Sequence, residues 1–369
     1  MIDLKPDIQF KKELEKISGA SLSTCMQCGT CSVVCNLSPN QKPFPRKEMV
    51  YAGWGMKGKM IGNPDVWLCH QCGDCSTHCP RGVNPADVLA ATREISYKHY
   101  ASPSFMGKLL SSPVLLPVAI IFPVLIIAAI IYLAGTLAIP DGPVNYSNFF
   151  PHAWLNGSFT MLTVLSYTIA GFGMSRFWKD LAKNDYDHEA KPKGFFASFW
   201  KVKNEILLHS RFNKCERNNR RKISHFLVFY GFVILLFVTL YAIYAAVTDK
   251  YPLAITNPFK ILGNISSLML FTGLGIMIIN RIRKREGTER STYRDWLFLC
   301  AMFLLTFSGV IIETARFMDW SFAYYLYFFH LVCVWFVIIY LPYTKFGHII
   351  YRTLAMTYAF SINRKDLSL

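Results

Sequence analysis

Charged residues are scarce in this sequence, and acidic residues are the scarcest of them. Only 17% of the 369 residues are Asp, Glu, Lys or Arg, and 39 basic residues outnumber 23 acidic ones to give a net charge of +16. Hydrophobic residues make up 53% of the chain. A protein of this length and composition is too apolar to be soluble, and it is too basic to be neutral toward anionic surfaces.

The sequence also lacks the motifs of several common activities. It has no glycine-rich dinucleotide-binding fingerprint and no nucleophile arrangement typical of hydrolases. No motif supports nucleic-acid binding, despite the basic charge. We therefore expect any substrate chemistry to belong to a partner protein.

Two cysteine runs near the N-terminus have the spacing of iron–sulfur ligands. They are Cys25-x2-Cys28-x2-Cys31-x3-Cys35 and Cys69-x2-Cys72-x2-Cys75-x3-Cys79-Pro80. Three closely spaced thiolates wrap around one [4Fe–4S] cluster, and the fourth cysteine of each run completes the other cluster. The predicted ligands are Cys25, Cys28, Cys31 and Cys79 for one cluster, and Cys69, Cys72, Cys75 and Cys35 for the second. Structural zinc sites or disulfides are the alternatives, and neither needs two matching runs of four.

The rest of the chain differs in composition from this head. Residues 1–108 are polar and rich in cysteine, whereas long uncharged runs alternate with short charged ones in residues 109–369. A helix needs about 20 apolar residues to cross a hydrocarbon layer of roughly 30 Å. Six stretches qualify approximately: 114–139, 149–175, 223–248, 261–280, 296–312 and 322–343. The predicted fold class is all-α, with a helical, ferredoxin-like two-cluster head followed by a six-helix transmembrane bundle.

Lysine and arginine are concentrated on one side of the predicted spans. Thirteen of them lie between the second and third spans, whereas the loops 140–148, 249–258 and 313–321 hold only Lys250 and Arg316. Positive charge marks the cytoplasmic side of a membrane. We therefore expect a multi-pass protein of the cytoplasmic membrane, with the head and both termini in the cytoplasm, where reducing conditions suit free thiolates.

Histidines in the predicted spans indicate a cytochrome b. His330 and His348 are 18 residues apart, which is five helical turns, so we expect them on one face of one helix and about 27 Å apart. Imidazole is a common axial ligand of haem iron. We expect His225 to share an inner b haem with His348, and His152 to share an outer b haem with His330. A hydrogen bond to a neighbouring helix is the alternative role of a membrane histidine, and His209 is an alternative ligand of the inner haem.

Glu313, at the outer end of the fifth span, is predicted to border a quinone site. Quinol oxidation releases protons, so the site needs a carboxylate near the quinol hydroxyl and the outer haem. An ion pair with Arg316 is the alternative role, because exposed pairs of this kind are common.

These motifs resemble those of known redox families. The segment from His330 to His348, together with His225, resembles the gamma subunit of respiratory nitrate reductase, a di-haem cytochrome b that oxidises quinol. That family carries a further histidine where this chain has Leu235. The head resembles the C subunit of heterodisulfide reductase, and the membrane part resembles the cytochrome b subunit of that enzyme. Joined in one chain, they resemble the membrane subunit of the quinone-interacting membrane-bound oxidoreductase (Qmo) complex of sulfate reducers.

The resemblance implies electron transfer between menaquinone or menaquinol, two b haems and two [4Fe–4S] clusters. It also implies cytoplasmic flavin and iron–sulfur partner subunits, with adenylylsulfate reductase as the eventual acceptor in dissimilatory sulfate reduction. Two other functions stay open. One is the membrane subunit of a heterodisulfide reductase-type complex that uses another membrane carrier, and the other is a membrane anchor whose cofactors are structural.

Overall fold

The computed structural model describes residues 5–39, 42–184, 193–214, 219–248, 250–284 and 290–362, and all regular secondary structure in these residues is helical, as predicted. The head contributes α1 (Ile8–Ser18), α2 (Thr30–Val33), α3 (Arg46–Gly53), α4 (Lys57–Ile61), α5 (Pro64–Leu68), α6 (Asp74–Thr77), α7 (Pro85–Tyr100) and α8 (Ser104–Leu109). The rest of the chain contributes α9 (Leu116–Leu133), α10 (Tyr146–Phe149), α11 (His152–Asn184), α12 (Phe195–Leu208), α13 (Asn219–Val247), α14 (Pro258–Ile282), α15 (Tyr293–Phe317), α16 (Ala323–Ile338) and α17 (His348–Ser361).

The two cysteine runs fold into matching loops. In each run a glutamine and a glycine have positive φ at equivalent positions, namely Gln27 (57°) with Gly29 (85°), and Gln71 (53°) with Gly73 (89°). Left-handed backbone at two positions turns a short segment sharply, and glycine adopts it at little steric cost. The helices α2 and α6 begin directly after the two glycines. Each run therefore curls so that its first three cysteines follow one tight loop.

Four helices in the described residues are long and apolar enough to cross a membrane: Pro113–Leu133, Arg221–Val247, Pro258–Ile282 and Tyr293–Phe317. The helix α15 extends beyond the fifth predicted span, 296–312, at both ends. A capping box formed by Thr292 and Asp295 stabilises its first turn. The helix α11, with 33 residues, covers the second predicted span. The helix α16, with 16 residues, covers the first part of the sixth.

The prediction that His330 and His348 share one continuous helix is wrong. His330 lies in α16, which ends at Ile338, whereas His348 is the first residue of α17. Two 3₁₀ turns connect the two helices. The cause lies at Pro342, because proline lacks an N–H group and its ring collides with the carbonyl four residues earlier.

The head packs on the ends of α11 and α17. Trp67 of α5 stacks on Tyr351 of α17 with ring centroids 5.0 Å apart, and Phe177 of α11 meets Tyr351 edge-on at 5.1 Å. Such aromatic pairs add about 0.5–1.5 kcal/mol beyond area burial. Arg221, near the start of α13, reaches the carbonyl of Gln71 at 2.6 Å. The head therefore lies at the end of the bundle where α11 ends and α13 begins.

Candidate redox centres

The first predicted ligand set surrounds a small cavity in the head. All four of its thiols line this cavity, namely Cys25, Cys28, Cys31 and Cys79. Burial, and then the nearby thiols, raise the pKa of Cys31 to about 11. Thiols must lose their protons to bind metal, so metal in this cavity would supply the positive charge that stabilises four thiolates. Within the described residues no group of three or more His, Cys, Asp or Glu side chains has the close spacing of a single-ion site.

The second ligand set is brought together in the same crossed manner. Burial raises the pKa of Cys35 to about 12, and the proximity of Cys69 and then Cys72 contributes to the rise. Burial also raises the pKa of Cys75 well above its usual value, with contributions from Cys69, Cys72 and Cys35. The structure thus places Cys35 of the first run with the second run, and Cys79 of the second run with the first.

The two sets lie at different depths in the head. Cys28 of the first set is exposed, and Met26 and Val33 beside it are 59% and 86% exposed. Cys69 and Cys75 of the second set are buried. The first set therefore faces the protein surface, whereas the second faces the interior.

A chain of packed rings leads from the second set to the membrane helices. His70 follows Cys69 and is buried, and its ring centroid lies 4.7 Å from that of Phe212. Phe212 in turn lies 5.5 Å from the ring of His225 on α13. Phe212 could not be identified from the sequence, because a phenylalanine in a basic connecting segment carries no chemical signature.

The structure brings His225 and His348, the predicted ligands of an inner haem, close together. Their ring centroids lie 6.2 Å apart at an interplanar angle of 76°. His348 directs Nδ1 to the carbonyl oxygen of Lys345 at 2.7 Å, a bond that leaves Nε2 for a ligand. Nδ1 of His225 is buried and has no hydrogen-bond partner among the described residues. Both rings line a cavity of about 300 Å³, so this donor set fits a haem.

His209 is buried beside the same pair. Its ring lies 4.8 Å from that of His225, and its Nδ1 lies 2.9 Å from the carbonyl oxygen of Leu207. This bond also leaves Nε2 for another partner. His209 therefore stays an alternative inner ligand on geometric grounds.

The structure places the two predicted outer ligands against different neighbours. Nδ1 of His330 lies 2.9 Å from the Ser308 hydroxyl, which donates to the carbonyl of Leu304 at 2.6 Å. His330 then donates from Nδ1 and keeps Nε2 for a ligand. The ring of His152 packs perpendicular to Tyr251, 4.7 Å between centroids. The pairing of His330 with His152 stays a prediction.

Glu313 makes a different ion pair from the one considered for it. Its carboxylate lies 3.3 Å from Lys260 of α14, and Asn264 donates to it at 3.5 Å. Arg316 instead reaches the hydroxyl of Tyr251. Because Tyr251 also packs on His152, the carboxylate and this histidine belong to one polar neighbourhood at the end of the bundle away from the head.

Comparison with known families divides the chain at nearly the same place as its composition does. Residues 108–366 match the profile of the family described as Citrate utilization protein B, and residues 21–83 match that of the 4Fe-4S dicluster domain. The head is therefore a dicluster domain. Residues 108–366, which include all four membrane-capable helices, fall within the first match.

One relative aligns with nearly the whole chain, and others align with only part of it. Citrate utilization protein B of Escherichia coli is 26% identical over 379 aligned residues, which cover 95% of this chain and 92% of the relative. The C subunit of the H(2):CoB-CoM heterodisulfide,ferredoxin reductase of Methanothermobacter marburgensis is 33% identical over 93 residues, 25% of this chain and 50% of that protein. The E subunit of the dihydromethanophenazine:CoB--CoM heterodisulfide reductase of Methanosarcina thermophila is 29% identical over 169 residues, 41% of this chain and 62% of that protein. This chain thus spans about half the length of its C-subunit relatives, and its head is homologous to their iron–sulfur domain.

Proposed function

This chain belongs to the Citrate utilization protein B family, and from that premise we propose that it passes electrons between menaquinone and soluble partner subunits through two [4Fe–4S] clusters and two b haems. The dicluster head, the helices able to cross a membrane and the heterodisulfide reductase relatives support its assignment as an electron-transfer subunit of a membrane-associated oxidoreductase. The single observation that carries the proposed electron path is the packed series of rings from the Cys69 loop through Phe212 to His225 and His348.

The cysteines and histidines hold the cofactors in this proposal. The surface set with Cys79 would bind one cluster and the buried set with Cys35 the other, while His225 and His348 would bind the inner haem and His330 the outer one. When bound, these groups accept and release single electrons. Two observations support the order of these groups: His70 and Phe212 connect the second cysteine set to His225, and Cys28 of the first set is exposed.

Glu313 serves as the proton acceptor for quinol in this proposal. A carboxylate within hydrogen-bond reach of a quinol hydroxyl acts as a general base. Lys260 and Asn264 hold the carboxylate at the outer end of α15, in the same neighbourhood as His152. Menaquinol would therefore be oxidised near the outer haem, with net electron movement toward the head.

The proposed topology has six spans, with the head and both termini in the cytoplasm. Two observations support it: α11 returns to the head, where Phe177 packs on Tyr351, and α16 carries the chain back to α17 beside the head. The lysines and arginines concentrated at the head end give the direction.

The partner subunits would dock on the exposed face of the first cluster site. Met26 and Val33, close to Cys28 in the sequence, are exposed apolar residues, and Met26, Arg46 and Arg81 line the cavity of the first set. Such a face suits a partner with an acidic rim around an apolar centre. We assign this role to cytoplasmic flavin and iron–sulfur subunits of a Qmo-type complex, with adenylylsulfate reductase as the eventual acceptor.

Reduction of the purified complex with a menaquinol analogue tests the proposal, with visible and electron paramagnetic resonance (EPR) spectra recorded together. We expect low-spin haem bands to appear first and reduced-cluster signals to follow. Haem or clusters that stay oxidised with active quinol would support an anchor with structural cofactors. Reduction by a dihydromethanophenazine analogue and not by menaquinol would support a membrane component of a heterodisulfide reductase-type complex.

The near full-length similarity to a citrate utilization protein favours a second candidate, in which the same electron path serves the use of citrate. Membranes mixed with the soluble fraction distinguish the two. Haem oxidation by added adenylylsulfate supports the Qmo-type role, and a haem redox change with citrate alone supports the other.

A further inference from the structure

The cavity that His225 and His348 line has two chemically different ends. Its end inside the bundle is apolar and is lined by Val228, Phe232, Met277, Phe298 and Met302. Its end toward the head is lined by seven arginine and lysine side chains and only three carboxylates. Buried charges are normally paired, because desolvation makes an isolated charge costly. An occupant that matches both ends has an apolar body and anionic groups directed toward the head.

Three of these cations are held by neutral groups of one loop. Arg93 donates to the carbonyl of Cys69 at 2.9 Å, and Arg221 donates to that of Gln71 at 2.6 Å. Arg352 contacts Nε2 of His70. Burial, followed by repulsion from other arginines, lowers the pKa of Arg352 to about 9. The partners of these guanidinium groups are two carbonyl groups and an imidazole, which carry no negative charge. These contacts therefore do not neutralise the positive charge of the three arginines.

Two of the three carboxylates at this end of the cavity, Asp295 and Glu94, have partners other than Arg93, Arg221 and Arg352. Among the described residues, the cations in salt bridges with Asp295 are Arg281, at 3.1 Å, and Lys345. Glu94 contacts the hydroxyl of Thr292. The thiolates of the second cysteine set offset part of the positive charge from the side of the loop. In the part of the chain that the structure describes, none of the salt bridges joins Arg93, Arg221 or Arg352 to a carboxylate.

The positions of two arginines relative to the imidazoles are equivalent. Arg221 precedes His225 by four residues on α13, and Arg352 follows His348 by four residues on α17. Side chains four residues apart lie on the same helix face, about 6 Å apart along the axis. The helix α13 runs away from the head and α17 runs into it, so both arginines lie on the head side of the imidazole pair.

We propose that Arg221 and Arg352, together with Arg93, form an anion site for the two carboxylates of the haem held by His225 and His348. This inference rests on the proposed function, because that function supplies the haem. The carboxylates would lie against the loop that carries Cys69 and Cys72. The same three arginines would then bind the haem periphery and the backbone of the cluster loop, and so fix the distance between the two centres.

Infrared redox-difference spectra of the full-length protein, with ¹³C-labelled haem carboxylates, test this site directly. We expect Arg221→Gln and Arg352→Gln each to shift the labelled carboxylate bands and to speed transfer of haem to apomyoglobin by roughly tenfold, since a charged hydrogen bond is lost. Arg221→Lys and Arg352→Lys keep the charge and should restore most of the haem retention. Arg283→Gln, at the exposed end of α14 and outside the cavity lining, is the matched control and should change neither measurement.

Unmoved carboxylate bands in both glutamine variants, with haem retained, would overturn the anion site. A change confined to the reduction potential of the cluster, followed by EPR titration, would overturn it as well and would assign the arginines to the cluster alone. Loss of a bound phospholipid from the glutamine variants by native mass spectrometry, with the bands unmoved, would assign the site to lipid phosphate. Failure of the proposed function gives a different result, in which His348→Ala leaves the haem content unchanged.

Discussion

At the scale of single residues, Cys79 distinguishes two possible assignments of the cluster ligands, because it could bind either the first or the second cluster. Cys79 belongs by sequence to the second run but lines the cavity of the first set. We expect Cys79→Ser to abolish the EPR signal of the cluster held by Cys25, Cys28 and Cys31, because a missing fourth thiolate destabilises that cluster. Cys35→Ser is the matched control and should affect only the other cluster. Selective loss of the other cluster's signal in Cys79→Ser would show that the crossed assignment is wrong.

The histidine pairs make a second prediction at this scale. His225→Ala and His348→Ala should each remove the same haem, because both rings line one cavity 6.2 Å apart. His330→Ala should remove the other haem, and His152→Ala should match it. Visible and EPR spectra with a haem assay measure the losses. Different haems lost from the first two variants would refute the inner pair, and an intact low-spin di-haem spectrum in His152→Ala would require another outer ligand.

Glu313 and Lys260 provide a matched pair of variants for the quinone site. Both Glu313→Gln and Lys260→Gln break the 3.3 Å ion pair, but only the first removes the carboxylate. If Glu313 accepts the quinol proton, Glu313→Gln should slow quinol-dependent haem reduction by roughly 100-fold with both haems bound, the size typical of lost general-base catalysis. Lys260→Gln should keep most of the rate. Equal rates in the two variants would assign the pair to structure and move the quinone site elsewhere, for example beside His209.

The cluster cysteines could be predicted from sequence because their ligand spacing is local. Three thiols within seven residues, with Gly29 or Gly73 at the turn, determine the loop without help from the rest of the fold. Arg93, Arg221 and Arg352 could not be predicted in the same way. They come from the head, α13 and α17, and they meet only because the head packs on the bundle.

At the scale of helices, Glu48 connects α3 to the start of α5 through a buried polar network. Its side chain is fully buried and accepts a hydrogen bond from Asn63 at 2.9 Å. The ammonium group of Lys47 lies 3.4 Å from the Glu48 carboxylate and 2.7 Å from the Asp65 carboxylate. Burial, followed by the charge of Asp65, raises the pKa of Glu48 from 4.5 to about 7. The folded state therefore binds more protons than the unfolded state between these two pH values. The contribution of Glu48 to stability should fall as the pH rises from about 4.5 to about 7.

Glu48→Gln should remove this pH dependence. A glutamine keeps the acceptor for Asn63 but carries no charge, so at pH 8 the variant should be more stable than the wild type, by up to about 3 kcal/mol. Thermal loss of cluster absorbance, followed from pH 5 to pH 8, measures the difference. Glu13→Gln, which removes an exposed partner of Lys98, is the control and should keep the wild-type slope. A parallel slope in Glu48→Gln would assign the pH dependence to other groups.

The break between α16 and α17 shows why hydrophobic pattern alone misplaced an element. The apolar run continues past Ile338 to Tyr343, so composition indicated one helix through to His348. Pro342 marks the interruption in the sequence, but proline is tolerated in many membrane helices when neighbours satisfy the freed groups. Here the chain uses the break to turn α17 into the head, where Tyr351 packs on Trp67. The pairing of His225 with His348 did not depend on the continuous helix.

At the scale of the whole molecule, the number of spans and the position of the head are linked. The four helices that are apolar enough on their own are α9, α13, α14 and α15. The helix α11 starts at His152, beyond the far end of α9, and ends in the head, where Phe177 is buried. The proposed six-span topology therefore has α11 cross the membrane as well, because the head lies on one side. In the same proposal α16 crosses and brings His348 beside His225.

Reporter fusions distinguish the six-span topology from a four-span one. With six spans and a cytoplasmic head, alkaline phosphatase fused after Gly142, Tyr251 or Asp319 should be active, because it folds only outside the cytoplasm. Green fluorescent protein fused after Gly194 or Ser291 should fluoresce, because it folds only inside. If α11 and α16 did not cross, the assignments of Gly194, Tyr251, Ser291 and Asp319 would all reverse while that of Gly142 stayed. A phosphatase fusion that is active after Gly194 would therefore contradict the proposed topology, and with it the cytoplasmic position of the arginines around the inner haem.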